Sequence, residues 1–304
     1  MVCKHCLSKP VIYFPINSTQ LCKSCFFRYL ESKVKKTISK YKLIEPKDHI
    51  VVAISGGKDS LTTLSFINKI ANKQRTIKIT AVLIDEGISN YRSKTIVDAK
   101  KFCKKNKITL KVYSFKKEFG FTLDQMIIKL KMKPCTICGV LRRYLLNTKS
   151  QLLNANKLAT GHNLEDESQS VIMNQFRNNV EISARMGPIT GVIINKKFIR
   201  RIKPLYLCTE KEIGLFAFLN GFISGYHECP YAEQSYRQDV KDMLNNFDEK
   251  YPGTKYSIIQ SFLEILPLLK NKYKSNIRLK YCISCGEPTS KEECQACQLI
   301  KKLK

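Results

Sequence analysis

From residue 49 onward the chain alternates two hydrophobic periods. Ile50-Val-Val-Ala-Ile54 is an unbroken apolar, mostly β-branched run, and residues 61–71 then repeat apolar positions at helical spacing. The first reads as a strand buried on both faces, the second as an amphipathic helix. Strand patterns recur at 77–84, at 109–115 and from Lys157, and residues 200–205 are basic and extended. Helical patterns lie at 93–106, 122–132, 140–146, 209–220 and 256–269, the last apolar enough to read as packing. Strands separated by helices predict a parallel α/β sheet with helices on its faces. Ahead of it, residues 26–42 form a lysine-rich amphipathic helix carrying Lys33, Lys35, Lys36 and Lys40 on its polar side.

Between the first strand and its helix stands Ser55-Gly-Gly-Lys-Asp-Ser60. Gly56 and Gly57 allow positive φ and close backbone approach, so successive N–H groups and the helix N-terminus can converge on an anion, with Lys58 adding a point charge. A Walker-A loop needs a glycine separated by four residues from its Gly-Lys pair; none stands there, so γ-phosphoryl transfer is not indicated. The strand at 77–84 ends in Asp85-Glu-Gly-Ile88, and the one from Lys157 ends in Gly161-His162, followed by Glu165, Asp166 and Glu167. Ligands of parallel sheets bind beyond the carboxyl ends of the strands, which gathers these segments around the loop. One acid at a helix start can be a cap, whereas three together fit magnesium or nucleotide work.

Composition adds a partner. Lys+Arg number 53 against 25 Asp+Glu, a formal net charge of +28. An A+T-rich genome also enriches lysine, but it need not leave acids so scarce, so a polyanion such as nucleic acid is expected. No stretch approaches a membrane-spanning length, and Met1-Val-Cys-Lys-His-Cys6 lacks a signal-peptide core. The expectation is a cytoplasmic protein without a membrane partner, its 13 cysteines thiols or metal ligands. Cys3, Cys6, Cys22 and Cys25 form one pair of CxxC knuckles, and Cys282, Cys285, Cys294 and Cys297 a second. Four thiolates at such spacing close a tetrahedral zinc site with no open position, hence a structural one, and His5 is a bystander. Cys103 and Cys208 fall among apolar positions and read as core. Cys135, Cys138 and Cys229 remain.

These pieces together resemble one family. The loop resembles the PP-loop of the ATP pyrophosphatases, which hold the pyrophosphate of ATP while a substrate oxygen attacks the α-phosphate. With both ribbons, Asp85-Glu-Gly-Ile88, Cys135-Thr-Ile-Cys-Gly-Val-Leu-Arg-Arg143, Gly161-His-Asn-Leu-Glu-Asp166 and Glu228-Cys-Pro-Tyr231, nearly the whole chain resembles the tRNA 2-thiouridine synthetases of the TtuA type and their cousins that thiolate the wobble uridine. The resemblance implies an α/β fold: a PP-loop, adenine nucleotide alpha hydrolase-like parallel sheet flanked by helices, with N- and C-terminal zinc ribbons. It implies a ribbon over 1–30, a linker helix over 31–48, a catalytic domain over 49–250, a helical extension over 251–281, and a ribbon with basic tail over 282–304.

It further implies that ATP and Mg2+ adenylate the C2 oxygen of a tRNA uridine, in the T-loop or at the wobble position, and that sulfur then displaces AMP. The ATP contacts carried over are Ala53, Ser55, Gly56, Gly57, Lys58, Asp59, Ser60, Ile84, Asp85, Arg142, Gly161 and Asp166. Cys135, Cys138 and Cys229 are implied to hold a [4Fe-4S] cluster whose fourth iron takes hydrosulfide. The sulfur donor is a ubiquitin-like carrier with a C-terminal thiocarboxylate, or free sulfide, and relatives are commonly homodimers. Catalytic roles fall on Asp59, Arg142, Asp166 and the three cysteines. Some relatives carry lysine where this chain has Arg142, and arginine cannot shuttle protons near neutral pH, so its role is electrostatic. Glu165-Asp166 replaces the usual Asp-Asp, which assigns the metal or catalytic acid to Asp166 and leaves the role of Glu165 open. Two other chemistries compete: a persulfide thiolase without a cluster, and a PP-loop amidating or lysidine-type enzyme that delivers nitrogen.

Overall fold

The computed structural model describes residues 2–193, 195, 197–222, 229–231, 236–274 and 280–303. His227 and Glu228 lie outside the described residues. The chain opens with strands β1 (Ile12–Phe14) and β2 (Thr19–Leu21), paired antiparallel, then helix α1 (Lys23–Lys40). Alternation follows as β3 (His49–Ile54), α2 (Lys58–Lys73), β4 (Lys78–Asp85), α3 (Arg92–Lys105) and β5 (Leu110–Ser114). Helices α4 (Phe115–Phe119), α5 (Leu123–Leu130) and α6 (Pro134–Leu152) lead to β6 (Lys157–Ala159), α7 (Leu164–Phe176), α8 (Val180–Ala184), β7 (Arg200–Ile202) and α9 (Glu210–Leu219). The chain closes with α10 (Tyr236–Lys250), α11 (Thr254–Lys274), β8 (Lys280–Tyr281), β9 (Pro288–Thr289) and α12 (Gln295–Leu303).

The central sheet runs β5-β4-β3-β6-β7 with every pair parallel. The chain winds outward from β3 to β5 and then returns to β6 on the other side, so the order reverses at β3. A crevice opens at such a reversal beyond the carboxyl ends. Strand β3 carries the period-two split that a doubly covered strand needs. Ile50, Val52 and Ile54 face a core shared with α1, α2 and α9, while Val51 faces one shared with α5, α6 and α12. Ile50, Val51 and Val52 are each fully buried, a contribution of about 1.5–3 kcal/mol apiece.

Both ends of the chain dock on this sheet. Phe27 packs edge-on against Phe216 of α9 with centroids 5.0 Å apart, and Lys33 reaches the buried Glu212 at 2.8 Å. At the other end Ala296, Leu299 and Leu303 of α12 pack with Met126, Leu141 and Leu145 in the second core. Ile259, Phe262 and Leu266 of α11 form a third cluster with Leu164 and Val171 of α7, so the 256–269 segment packs as expected. Cys103 and Cys208 are buried core residues.

Two elements differ from expectation. Helix α10 carries only Val240 and Leu244 to the interior, too few apolar positions to announce it. Helix α6 starts at Pro134, not at Val140, because proline fixes φ for the first helical position and lacks the N–H that would be unpaired there.

Candidate active site

The phosphate loop is folded by its own serines. Ser60 Oγ accepts from the Ser55 amide at 3.1 Å and donates to the Gly57 carbonyl at 2.9 Å, while Ser55 Oγ accepts from the Gly57 amide at 3.3 Å. Gly57 caps α2, leaving the helix's first N–H groups directed into the crevice. Gly56 has φ +86°, and a Cβ there would lie 2.1 Å from the Thr95 carbonyl oxygen. Gly161 lets the loop after β6 touch the first turn of α2: a Cβ would stand 2.9 Å from the Asp59 carbonyl carbon. Ala53 and Ile84 lie near the ends of β3 and β4, and Asp85 accepts from the Gly87 amide at 2.9 Å.

Lys58 lies 3.0 Å from Asp59 and 2.9 Å from Glu210. Burial works to lower its pKa, but the two carboxylates outweigh that and hold it above its ordinary value. Asp59 also accepts from Asn163 Nδ2 at 3.1 Å. Asn163 caps α7 and forms a capping box with Asp166, which joins the two aspartates through one amide side chain. Burial, with Asp59 close by, pushes the Asp166 carboxyl up to about 6.

The three acids of α7 are not a common metal cluster. Glu165 turns away to accept from the Glu210 amide at 2.7 Å, and Glu167 forms a buried ion pair with Lys203 at 2.7 Å. Only Asp166 keeps company with Asp59. The expectation that all three serve magnesium or nucleotide is therefore corrected to one of them, because the other two are spent on neighbouring elements.

Pro134 places the CxxC of Cys135 and Cys138 in the opening turns of α6, on one face and near unpaired helix N–H groups that favour anionic sulfur. Cys135 is exposed, with its Sγ 3.7 Å from the Tyr231 carbonyl, so the segment bearing half-buried Cys229 lies against this turn. Tyr231 Oη donates to Asp124 at 2.9 Å, and Asp124 also accepts from the Ser89 amide at 3.0 Å. Cys138 is buried, and burial pushes its thiol up, with Arg142 pulling partly against it. Arg142 Nη2 lies 3.0 Å from Cys138 Sγ.

Among the described residues, the thiol groups whose ligand atoms all lie within 4.8 Å of one another are Cys3, Cys6, Cys22, Cys25 and Cys282, Cys285, Cys294, Cys297. Both sets suit one tetrahedral ion. Cys135 and Cys138 share the opening turns of α6, and the Cys229–Tyr231 segment reaches that turn through the Tyr231 carbonyl.

Basic side chains crowd together where the loop after β6 meets β7. Arg201 is pushed down to about 10 by burial and by Arg143, and the exposed His162 is held below its ordinary value by the crowding around it, with Lys203 and Arg201 adding to that.

A family model for the PP-loop domain matches residues 28–222. The tRNA-5-methyluridine(54) 2-sulfurtransferase of Pyrococcus horikoshii is 35% identical over 298 residues, 98% of this chain and 93% of the relative. The tRNA 2-thiolation protein NcsA of Haloferax volcanii is 30% identical over 319 residues, 100% of this chain and 99% of the relative. The solved structure of the U34-tRNA thiolase NcsA from Methanococcus maripaludis with its [4Fe-4S] cluster superposes with TM-score 0.86 at 32% identity, covering 100% of this chain and 96% of the other. The chain belongs to the PP-loop tRNA 2-thiolation family.

Residues that sequence reasoning overlooked in this PP-loop protein are partners rather than motif letters. Asn163 stands inside the quoted Gly161–Asp166 motif but carries no assigned role there, and its bond to Asp59, 104 positions away, is seen only in the fold. Arg237 donates to the Asp166 carbonyl at 3.3 Å and to Gln169 and Ser170 beside it, from a helix with no motif. Asp124 reads as an ordinary first-turn acid until Tyr231 is seen to reach it. No local signal marks these contacts.

Proposed function

We propose that this chain replaces the C2 oxygen of a tRNA uridine with sulfur in two halves, the first of which consumes ATP. What supports the reading is proximity: Arg92, which donates to the Ser55 carbonyl of the phosphate loop, and Arg142, 3.0 Å from Cys138 Sγ, meet on the carboxylate of Glu86.

In the first half, the loop amides, the start of α2 and Lys58 hold the phosphates of ATP, Lys58 leaving Glu210 to do so. Asp59 and Asp166 supply carboxylates for Mg2+, and the C2 oxygen attacks the α-phosphate with loss of pyrophosphate. Arg142 contributes positive charge, not a proton. In the second half, sulfur forms a bond to C2 while the C2–O bond breaks and AMP leaves. A [4Fe-4S] cluster held by Cys135, Cys138 and Cys229 supplies an iron without a protein ligand, open to exogenous hydrosulfide. The sulfur comes from a thiocarboxylated ubiquitin-like carrier or from free sulfide. Each ribbon holds one structural zinc, and the working form is a homodimer.

Anaerobic purification with iron and sulfide assay, followed by mass spectrometry of tRNA nucleosides, tests the reading. It expects about four irons per chain, a 2-thiouridine product whose position identifies the target, and loss of thiolation in Cys229→Ser. Iron-free protein that still thiolates tRNA would turn the reading toward persulfide chemistry. Activity indifferent to all three cysteines would favour nitrogen delivery.

A further inference from the structure

Glu86 is 1% exposed, one position beyond β4. Neither carboxylate oxygen has a hydrogen-bond partner of good geometry; what compensates the charge is two guanidiniums. Arg92 pairs with one oxygen, and Arg142 Nε lies 3.4 Å from the other. Removing either cation would leave a deeply buried carboxylate uncompensated, so both arginines are structurally committed to it.

Each arginine reaches onward from that shared anchor. Arg92, itself 5% exposed, donates to the Ser55 carbonyl of the phosphate loop at 3.0 Å and lies 3.3 Å from Thr95 Oγ1. Arg142, whose side chain is 44% exposed, reaches Cys138 Sγ at 3.0 Å. An arginine so open to solvent is rich in rotamers, and a sulfur contact alone is a weak restraint. The buried carboxylate is what fixes its guanidinium.

We propose that Glu86 is a positioning residue of the thiolation site: one buried carboxylate sets Arg142 against the sulfur of Cys138 and Arg92 against the phosphate loop. The sulfur-handling turn and the nucleotide loop are thereby aligned by a single group. The inference rests on the reading that Cys138 holds a cluster, where a cationic donor to the ligand sulfur raises the reduction potential.

Glu86→Asp keeps the charge and withdraws it by one methylene. Wild type, Glu86→Asp, Arg142→Gln and the double variant are reconstituted anaerobically and compared by iron content, cluster midpoint potential and turnover. Glu86→Asp is expected to retain iron, to shift the potential negative and to lower kcat about 10- to 100-fold. In the Arg142→Gln background it adds little to the potential shift, because the guanidinium it positions is gone. A potential and kcat equal to wild type's, or shifts that simply add in the double variant, overturn the proposal.

Should Glu86→Asp not fold, Arg92→Lys decides: it leaves Glu86 paired but drops the Ser55 contact, and KM for ATP rises at least threefold. An unchanged KM overturns the proposal. Wild-type protein that takes up no iron sinks the cluster reading instead. The proposal is then judged on the iron-free protein by a double-mutant cycle in urea unfolding. Coupling of Glu86 to Arg142 of threefold or more in the unfolding constant upholds it, and less overturns it.

Discussion

Gly56 shows how much one residue fixes. Its φ of +86° lies in the left-handed region, and the Thr95 backbone closes over the place where a side chain would begin. Gly56→Ala therefore adds roughly 1–2 kcal/mol of backbone strain and forces α3 away from the loop. ATP binding should weaken at least tenfold by calorimetry, with a lowered Tm. Glu165 makes a different case, since its buried carboxylate is held by the start of α9. Burial, partly offset by the Glu210 amide, raises its carboxyl from 4.5 to about 7. A raised folded pKa means stability that is complete below pH 4.5 and lost as pH climbs through 7. Glu165→Gln should thus gain on the order of 2–3 kcal/mol over wild type at pH 8 and nothing at pH 4, read by urea denaturation at both. The identity of the loop residues was legible because phosphate binding needs particular residue types in a row. Asp166 was singled out from Glu165 by resemblance alone; the partner that takes up Glu165 was not legible, because adjacent helix positions point about 100° apart and only the packing of α9 supplies that partner.

At the scale of elements, α6 carries Cys135 and Cys138 on its first turns and a docking face on its middle. Asn147 and Gln151 reach Glu287 of the C-terminal ribbon, and Lys129 of α5 binds the Leu303 carbonyl at the end of α12. The ribbon therefore braces the helix that presents Cys135 and Cys138. Cys294→Ser should remove one of two zinc equivalents, lower Tm and reduce cluster retention, while the N-terminal site stays loaded. Metal analysis of wild type and variant checks this. The ribbons themselves were plain from spacing alone, since four thiolates at CxxC intervals have few other uses. Their docking was not, because the surfaces that meet α5 and α6 share no pattern with them.

The molecule as a whole carries a net charge of +28, and among the described residues no helix is long and apolar enough to cross a membrane. Binding of tRNA should follow counterion release. If six to ten phosphates are contacted, affinity falls about 10³- to 10⁵-fold between 50 and 200 mM salt. ATP affinity, set by a confined loop, should change far less. Filter binding and calorimetry across that range separate the two, and a shallow salt slope for tRNA would mean that the excess charge does not touch the backbone.

What the order of amino acids decided alone was everything that depends on neighbours along the chain: strand and helix periods, the glycine-bearing turn, the paired knuckles, and the surplus of lysine. These are local because backbone geometry and ligand spacing act over a few residues. What only the tertiary structure decided was which distant groups share a charge or a hydrogen bond. Glu86 between Arg92 and Arg142, Asn163 on Asp59, and Asp124 under Tyr231 arise from the crossing of strands and helices far apart in sequence, and a buried carboxylate is satisfied by whichever partner the packing delivers.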